Sequence, residues 1–213
     1  MTERNKSARG FVNHPMYRIL MDAVSDIKGA YIELGVNDVW TFDHIYKRAL
    51  HSNHAVAAVD SFRGMPKSEH EYENKAYPEG KYNTGGADWF KKKYPLAYVY
   101  EGIIPEILSK IDSSNIFAFA HIDIDFDRST YETLKWIWDK MNPGGIVVCH
   151  DYLPGNNTFA TKGIKDWMKE TNIMPVMLCD TSVVFRQGDS IQSLLDEMPQ
   201  WQADIIQRNY LRD

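Results

Sequence analysis

Five short apolar runs, separated by amphipathic stretches, do most to limit what this chain can fold into. They occupy residues 30–34, 55–59, 97–100, 116–122 and 146–149, and are rich in β-branched and aromatic side chains. Little polar/apolar alternation runs through them, which is the pattern of strands buried on both faces. Between and after them lie helix-like segments at 41–50, 87–93, 105–111, 129–141 and 161–170. The 129–141 segment puts Leu134, Ile137, Trp138 and Met141 on one stripe, and Asn142-Pro-Gly-Gly145 reads as its stop. Strand alternating with helix predicts a parallel sheet with helices on both faces. Near the C-terminus, the runs 175–178 and 182–185 predict an antiparallel hairpin at one edge. The expectation is an α/β fold: one domain over 1–213 with a doubly wound, mostly parallel, Rossmann-like sheet.

Composition narrows the class further. With 213 residues, 44% hydrophobic and 25% charged, the chain can bury a core without disulfide or metal staples, and it is neither a disordered nor a fibrous sequence. A formal charge of −5 argues against nucleic acid as a partner. The first residues are polar with no apolar h-region, and no apolar run approaches a membrane span, so the expectation is a cytoplasmic protein without a membrane partner. Cys149 and Cys179 are its two cysteines, read as free thiols in a reducing compartment. Residues 1–28 form an N-terminal cap segment. Residues 63–86 break the rhythm with a long polar stretch carrying Tyr72, Tyr77 and Tyr82, the profile of a lid loop. Trp201, Ile205, Ile206 and Tyr210 suggest a last helix that packs on the core or on a second copy, which leaves a homodimer open.

Ligands of open α/β sheets bind beyond the carboxyl ends of the strands. There the five runs offer Glu33-Leu-Gly35, Asp60-Ser-Phe62, Glu101-Gly102, His121-Ile-Asp123-Ile-Asp125 and His150-Asp151. Every one carries an acid, and the expectation is that all five converge on one rim. A glycine after the first strand lets backbone approach a ligand, and an acid after the second can hold a ribose. Neither Gly-x-Gly-x-x-Gly nor a Walker A sequence is present, which disfavours dinucleotides and ATP. Asp123, His150 and Asp151 fall at the ends of strands expected to be neighbours, and suit a divalent cation, whereas Asp125 suits a base beside it.

These residues resemble a family. Glu33-Leu-Gly-Val36, Asp60-Ser-Phe-Arg-Gly-Met-Pro66, His121-Ile-Asp-Ile-Asp125, Ser129-Thr-Tyr131, Pro143-Gly-Gly145 and His150-Asp-Tyr152 resemble the macrocin O-methyltransferase (TylF/MycF-like) family of class I S-adenosylmethionine-dependent enzymes. The resemblance implies methylation of a sugar hydroxyl with S-adenosylmethionine and a divalent metal. It implies Glu33 and Gly35 beside the methionine moiety, Asp60 on the ribose, Ser61 and Phe62 bordering adenosine, and Glu101, Gly102 and Ile103 near adenine. By the same matching Asp123, His150 and Asp151 are metal ligands, with Asp123 also against the cofactor, and Asp125 is the catalytic base beside Asp123. Magnesium is the expected ion, and because the family's usual Asp-Asp is here His150-Asp151, the imidazole also admits manganese or a softer ion. Val39-Trp40 stands where the family usually carries Gly-Gly, and is expected to crowd the cofactor's carboxylate end. Trp40, Trp89 and the lid tyrosines are candidates for ligand contact. A catechol-type acceptor, a metal-dependent hydrolase and a non-catalytic binding domain remain as alternatives.

Overall fold

A computed structural model describes residues 14–37, 39–153, 155, 159–178 and 181–188. In chain order its elements are α1 (His14–Ala23), β1 (Ala30–Leu34), α2 (Trp40–His51), β2 (Val56–Asp60), α3 (Glu71–Ala76), α4 (Asp88–Lys93), β3 (Ala97–Glu101), a 3-10 turn (Glu106–Lys110), β4 (Phe117–Ile122), α5 (Asp127–Trp138), β5 (Met141–Cys149), α6 (Phe159–Thr171), β6 (Val176–Met177) and β7 (Val183–Arg186). The strands form one seven-stranded sheet in the order β3-β2-β1-β4-β5-β7-β6. β1 to β5 pair in parallel, and β7 runs antiparallel to both β5 and β6, so the α/β expectation and its terminal hairpin hold.

The sheet separates two apolar layers. On one side Tyr17 and Met21 of α1, Phe42 and Ile45 of α2 and Phe90 of α4 pack together. On the other, Leu134 and Ile137 of α5 meet Ile164 and Trp167 of α6. All six residues of β4 are buried, as the central strand of such a sandwich must be. Each large side chain buried in this way contributes about 1.5–3 kcal/mol.

Several boundaries differ from the sequence expectation. α5 stops at Trp138, and Met141 is no helix residue but the first residue of β5, opposite Phe117. The Asn142-Pro-Gly-Gly145 stretch is therefore part of a strand. Between the pairs Phe117↔Met141 and Phe119↔Ile146 the longer β5 side bulges outward. Pro143 has no N–H for a ladder and Gly144 takes φ +83, so a bulge accommodates both. Residues 105–111 make a single 3-10 turn rather than an α-helix. α1 and α3 were not foreseen. No described helix is long and apolar enough to cross a membrane. Cys149 is a free, buried thiol, pushed above its ordinary pKa by burial. Cys179 and the proposed last helix with Trp201, Ile205, Ile206 and Tyr210 lie outside the described residues.

Candidate active site

The ends of β1, β2 and β4 open onto a cleft lined by Gly35, Asn37, Asp60, Ser61, Ile103, Ile104 and the Asp123–Phe126 loop, among others. Gly35 leaves β1 at φ +86, and a Cβ there would collide with the carbonyl oxygen of Asp123. Only glycine lets the β1 and β4 ends approach so closely. The Asp60 carboxylate accepts the backbone N–H groups of Val36 (2.7 Å), Asn37 (3.2 Å) and Phe62 (2.6 Å). It thereby shapes both loops at the cleft and, with about four lone-pair sites in all, keeps one for a ligand. Ser61 is bound locally, donating to the Gly64 carbonyl at 2.7 Å.

Three expected site residues fall elsewhere. Glu33 lies inside β1 rather than beyond it, directly opposite His121 of β4, whose ring lies 5.2 Å from that of Tyr17 in α1. Its Oε1 is 2.8 Å from His121 Nδ1, and only 1% of Glu33 is exposed, so it does not line this cleft. Phe62 is buried against Phe90, ring centroids 5.1 Å apart, rather than bordering the cleft. Glu101 sits at the end of the edge strand and faces Arg63 at 3.5 Å. The five strand-end acids therefore do not all converge: Glu33 is buried against His121, and edge position sets Glu101 against Arg63. Gly102 carries the turn between them, its N–H bonded to the Asp60 carbonyl.

Asp123, His150 and Asp151 do come together, one ligand atom of each lying within 4.8 Å of the others. β4 and β5 are adjacent, and the His150 N–H bonds the Ile122 carbonyl at 2.9 Å, which extends the pairing past the strand ends. His150 Nδ1 is buried 3.0 Å from Asp151 Oδ1 and 3.6 Å from Asp123 Oδ1, without hydrogen-bond alignment to either. Three such ligand atoms gathered together, two of them carboxylate oxygens, are of a kind that hard or borderline divalent cations take. In the metal-free cluster burial alone would lower the His150 pKa, but the two facing carboxylates raise it to about 11. Burial likewise disfavours the Asp123 anion, and His150 outweighs it, holding that carboxyl below its usual range. Asp125 behaves oppositely. Burial, then repulsion from Asp123 and Asp151, raise it to about 8.

The 63–86 segment is docked over these strand ends. The Met65 N–H bonds the Lys81 carbonyl at 2.8 Å and the Gly80 N–H the Met65 carbonyl at 2.9 Å, closing the segment at its base. Tyr72 donates to Asp127 at 3.0 Å, and Tyr82 lines the cleft. Val39 does not crowd the cleft: it is buried in the core layer at φ +64, the left-handed conformation a glycine takes freely. Trp40 opens α2 and is 49% exposed, whereas Trp89 is partly buried against the core layer rather than among the residues that line the cleft. Sequence reasoning singled out neither Ile104 nor Asn37, whose contributions are cleft wall and a backbone N–H.

Sheet order and the position of the cleft define an open α/β fold of the class I methyltransferase type. No protein-family profile matches the chain, and no curated protein matches it in sequence. Solved structures do share the fold. The O-methyltransferase NovP is 16% identical, with 83% of this chain and 79% of that chain covered at a TM-score of 0.69. CalS11, a calicheamicin methyltransferase, is 19% identical over 83% and 81% of the two chains, TM-score 0.61. TomG, an O-methyltransferase of Streptomyces achromogenes in tomaymycin synthesis solved with SAM, is 12% identical over 82% and 80%, TM-score 0.55.

Proposed function

We propose that this chain is an S-adenosylmethionine-dependent O-methyltransferase, assisted by a divalent metal, that acts on a hydroxyl of a sugar or glycosylated small molecule. The observation that carries the reading is a cleft that shares one residue with a cluster of possible metal ligands. Gly35, Asn37, Asp60, Ile103 and Ile104 line the cleft together with Asp123, and Asp123 also belongs to the cluster with His150 and Asp151. Likeness of fold supports the methyl donor, since NovP, CalS11 and TomG are all described as methyltransferases. CalS11 is described as a TDP-rhamnose 3'-O-methyltransferase, which supports a sugar acceptor.

A sulfonium methyl is already activated, so the protein's task is to orient donor and acceptor in line. Asp60 offers its remaining acceptor site to ribose hydroxyls, Gly35 lets backbone lie against the methionine moiety, and Ile103 and Ile104 flank adenine. Asp125 takes the acceptor's proton as the new bond forms, and a carboxyl raised towards neutrality is the stronger base for that purpose. Asp123, His150 and Asp151 would hold the divalent ion, magnesium by carboxylate charge or a softer ion by the imidazole. Such an ion, when bound, acidifies a hydroxyl in contact with it and stabilises the charge that develops.

Calorimetric titration with S-adenosylhomocysteine tests the reading directly: binding is expected, and no detectable binding at millimolar ligand would sink it. Asp151→Ala should lose about 100-fold in methyl transfer, and its Mn²⁺ affinity as well, while keeping S-adenosylhomocysteine binding. Full transfer activity in a strong chelator would remove the metal from the mechanism.

A further inference from the structure

The sheet ends differently at its two edges. β6 closes one edge with two residues, whereas β3 closes the other with five, and among the described residues no strand pairs with its outer side. Pairing with β2 is regular from Val56↔Ala97 to Asp60↔Glu101, so no bulge turns β3 away. Open edges are usually guarded by a lysine, a proline or a bulge. Ala97-Tyr-Val-Tyr-Glu101 carries neither lysine nor proline, and Leu96, just before it, and Tyr98 within it are 64% and 63% exposed. The Gly102 N–H reaches back to the Asp60 carbonyl of β2 at 2.9 Å. Alternate residues of a strand turn their backbone groups the same way, so Tyr98 and Tyr100 face β2, while Ala97, Val99 and Glu101 face outward. Side chains alternate as well. Ala97 and Val99 pack on one apolar layer, and Tyr100, with Tyr98 beside it, stands on the opposite face.

We propose that this edge is a self-association surface: β3 of one copy pairs antiparallel with β3 of a second copy about a two-fold axis at Val99. The inference goes beyond the methyltransferase reading and does not depend on it. With Val99 opposite itself, each Val99 N–H meets the other's carbonyl, and each Glu101 N–H meets the Ala97 carbonyl across the axis. The remaining outward donor, the Ala97 N–H, is already bonded to the Tyr94 carbonyl at 3.0 Å. Tyr98 then falls directly opposite Tyr100 of the second copy, at the closer non-hydrogen-bonded positions where aromatic pairs are favourable. Charge agrees with this direction. The exposed Lys91, Lys92 and Lys93 precede the strand, and the exposed Glu101 and Glu106 end and follow it. Antiparallel pairing sets the basic end of each copy beside the acidic end of the other, whereas a parallel pair would oppose like charges. Such a contact is isologous and closes at two copies.

Sedimentation velocity on the full chain tests the pairing. An interface of this size predicts a weak dimer, associated at about 200 µM and dissociated at about 2 µM. Tyr98→Lys puts a charge into each pair of rings and should weaken association at least about tenfold. Its melting temperature should stay within about 2 °C of wild type, because the side chain it replaces is exposed. Val99→Cys should form an intermolecular disulfide under mild oxidant, since hydrogen-bonded partners have Cα atoms about 5.5 Å apart. Ile116→Cys, 46% exposed but away from this edge, is the comparison and should not crosslink. A wild type that stays monomeric at about 200 µM would leave the edge to a different chain and overturn the inference. Association unchanged in a folded Tyr98→Lys would put the contact on another face and overturn it as well. So would equal crosslinking of Val99→Cys and Ile116→Cys, or none of Val99→Cys in a dimeric sample. If Tyr98→Lys fails to fold, the crosslinking comparison decides.

Discussion

Gly35 and Val39 stand four positions apart with left-handed backbones, φ +86 and +64, and only the first has the residue that such angles favour. At Gly35 any side chain meets the β4 backbone, so the need for glycine is steric as well as conformational. At Val39 the left-handed backbone costs about 1–2 kcal/mol, and burial of the side chain returns about 1.5–3 kcal/mol, so the valine holds. Glycine and Asp60 were legible in the sequence because each acts through its own position at a strand end. The burial of Glu33 was not, because its partner His121 is 88 positions away. Asp125 supports a prediction about pH. Its folded pKa of about 8 lies above the unfolded value of about 3.9, so the folded protein holds this proton more tightly. Stability from this site is fully present below about pH 4 and is lost as pH rises through about 8. In chelator, Asp125→Asn should therefore melt close to wild type near pH 4 and progressively higher than wild type up to about pH 8. Melting curves that stay parallel across that range would count against a buried, repelled carboxylate.

Among the elements, α3 and α1 escaped the sequence for different reasons. α1 carries the buried residues Tyr17, Met21 and Val24 on and just beyond it, a helical spacing carried by only three residues and set beside a polar start. α3 is six residues of Glu-Tyr-Glu-Asn-Lys-Ala, too short and polar for hydrophobic periodicity to register. Its order comes from tertiary partners, chiefly Glu73 on the α5 N-terminus and Tyr72 on Asp127. Glu73→Ala should leave an unpaired buried N–H at a cost of about 1–3 kcal/mol, borne mainly by the 63–86 segment. Limited proteolysis should then cut within 63–86 faster than in wild type, with the core melting nearly unchanged. Equal cleavage rates would mean that Glu73 does not anchor the segment. The β5 bulge has the same lesson: Pro143 and Gly144 look like a helix stop in isolation, and become strand only because Phe117 and Phe119 pair on either side of them.

At the scale of the molecule, the sheet order β3-β2-β1-β4-β5 puts the reversal point between β1 and β4, and the cleft opens there. Ligand bound in that cleft touches loops from both halves of the sheet, so binding stabilises the whole fold. At 100 times its Kd, S-adenosylhomocysteine should add about 2.7 kcal/mol, or roughly 5–10 °C in Tm for a chain of this size. No shift at saturation would be inconsistent with a site spanning β1, β2 and β4. What the sequence determined by itself was local and periodic. Runs of two-sided apolar residues set the strands, amphipathic spacing set the longer helices, and residues just past strand ends placed Asp60, Asp123 and Asp151 on one rim. Tertiary structure alone decided which of those acids meet, which way Glu33 turns and how Val39 is tolerated. Strand and helix periods are encoded over a few neighbouring residues, whereas register and docking depend on contacts between segments far apart in the chain, whose geometry exists only once the sheet has assembled.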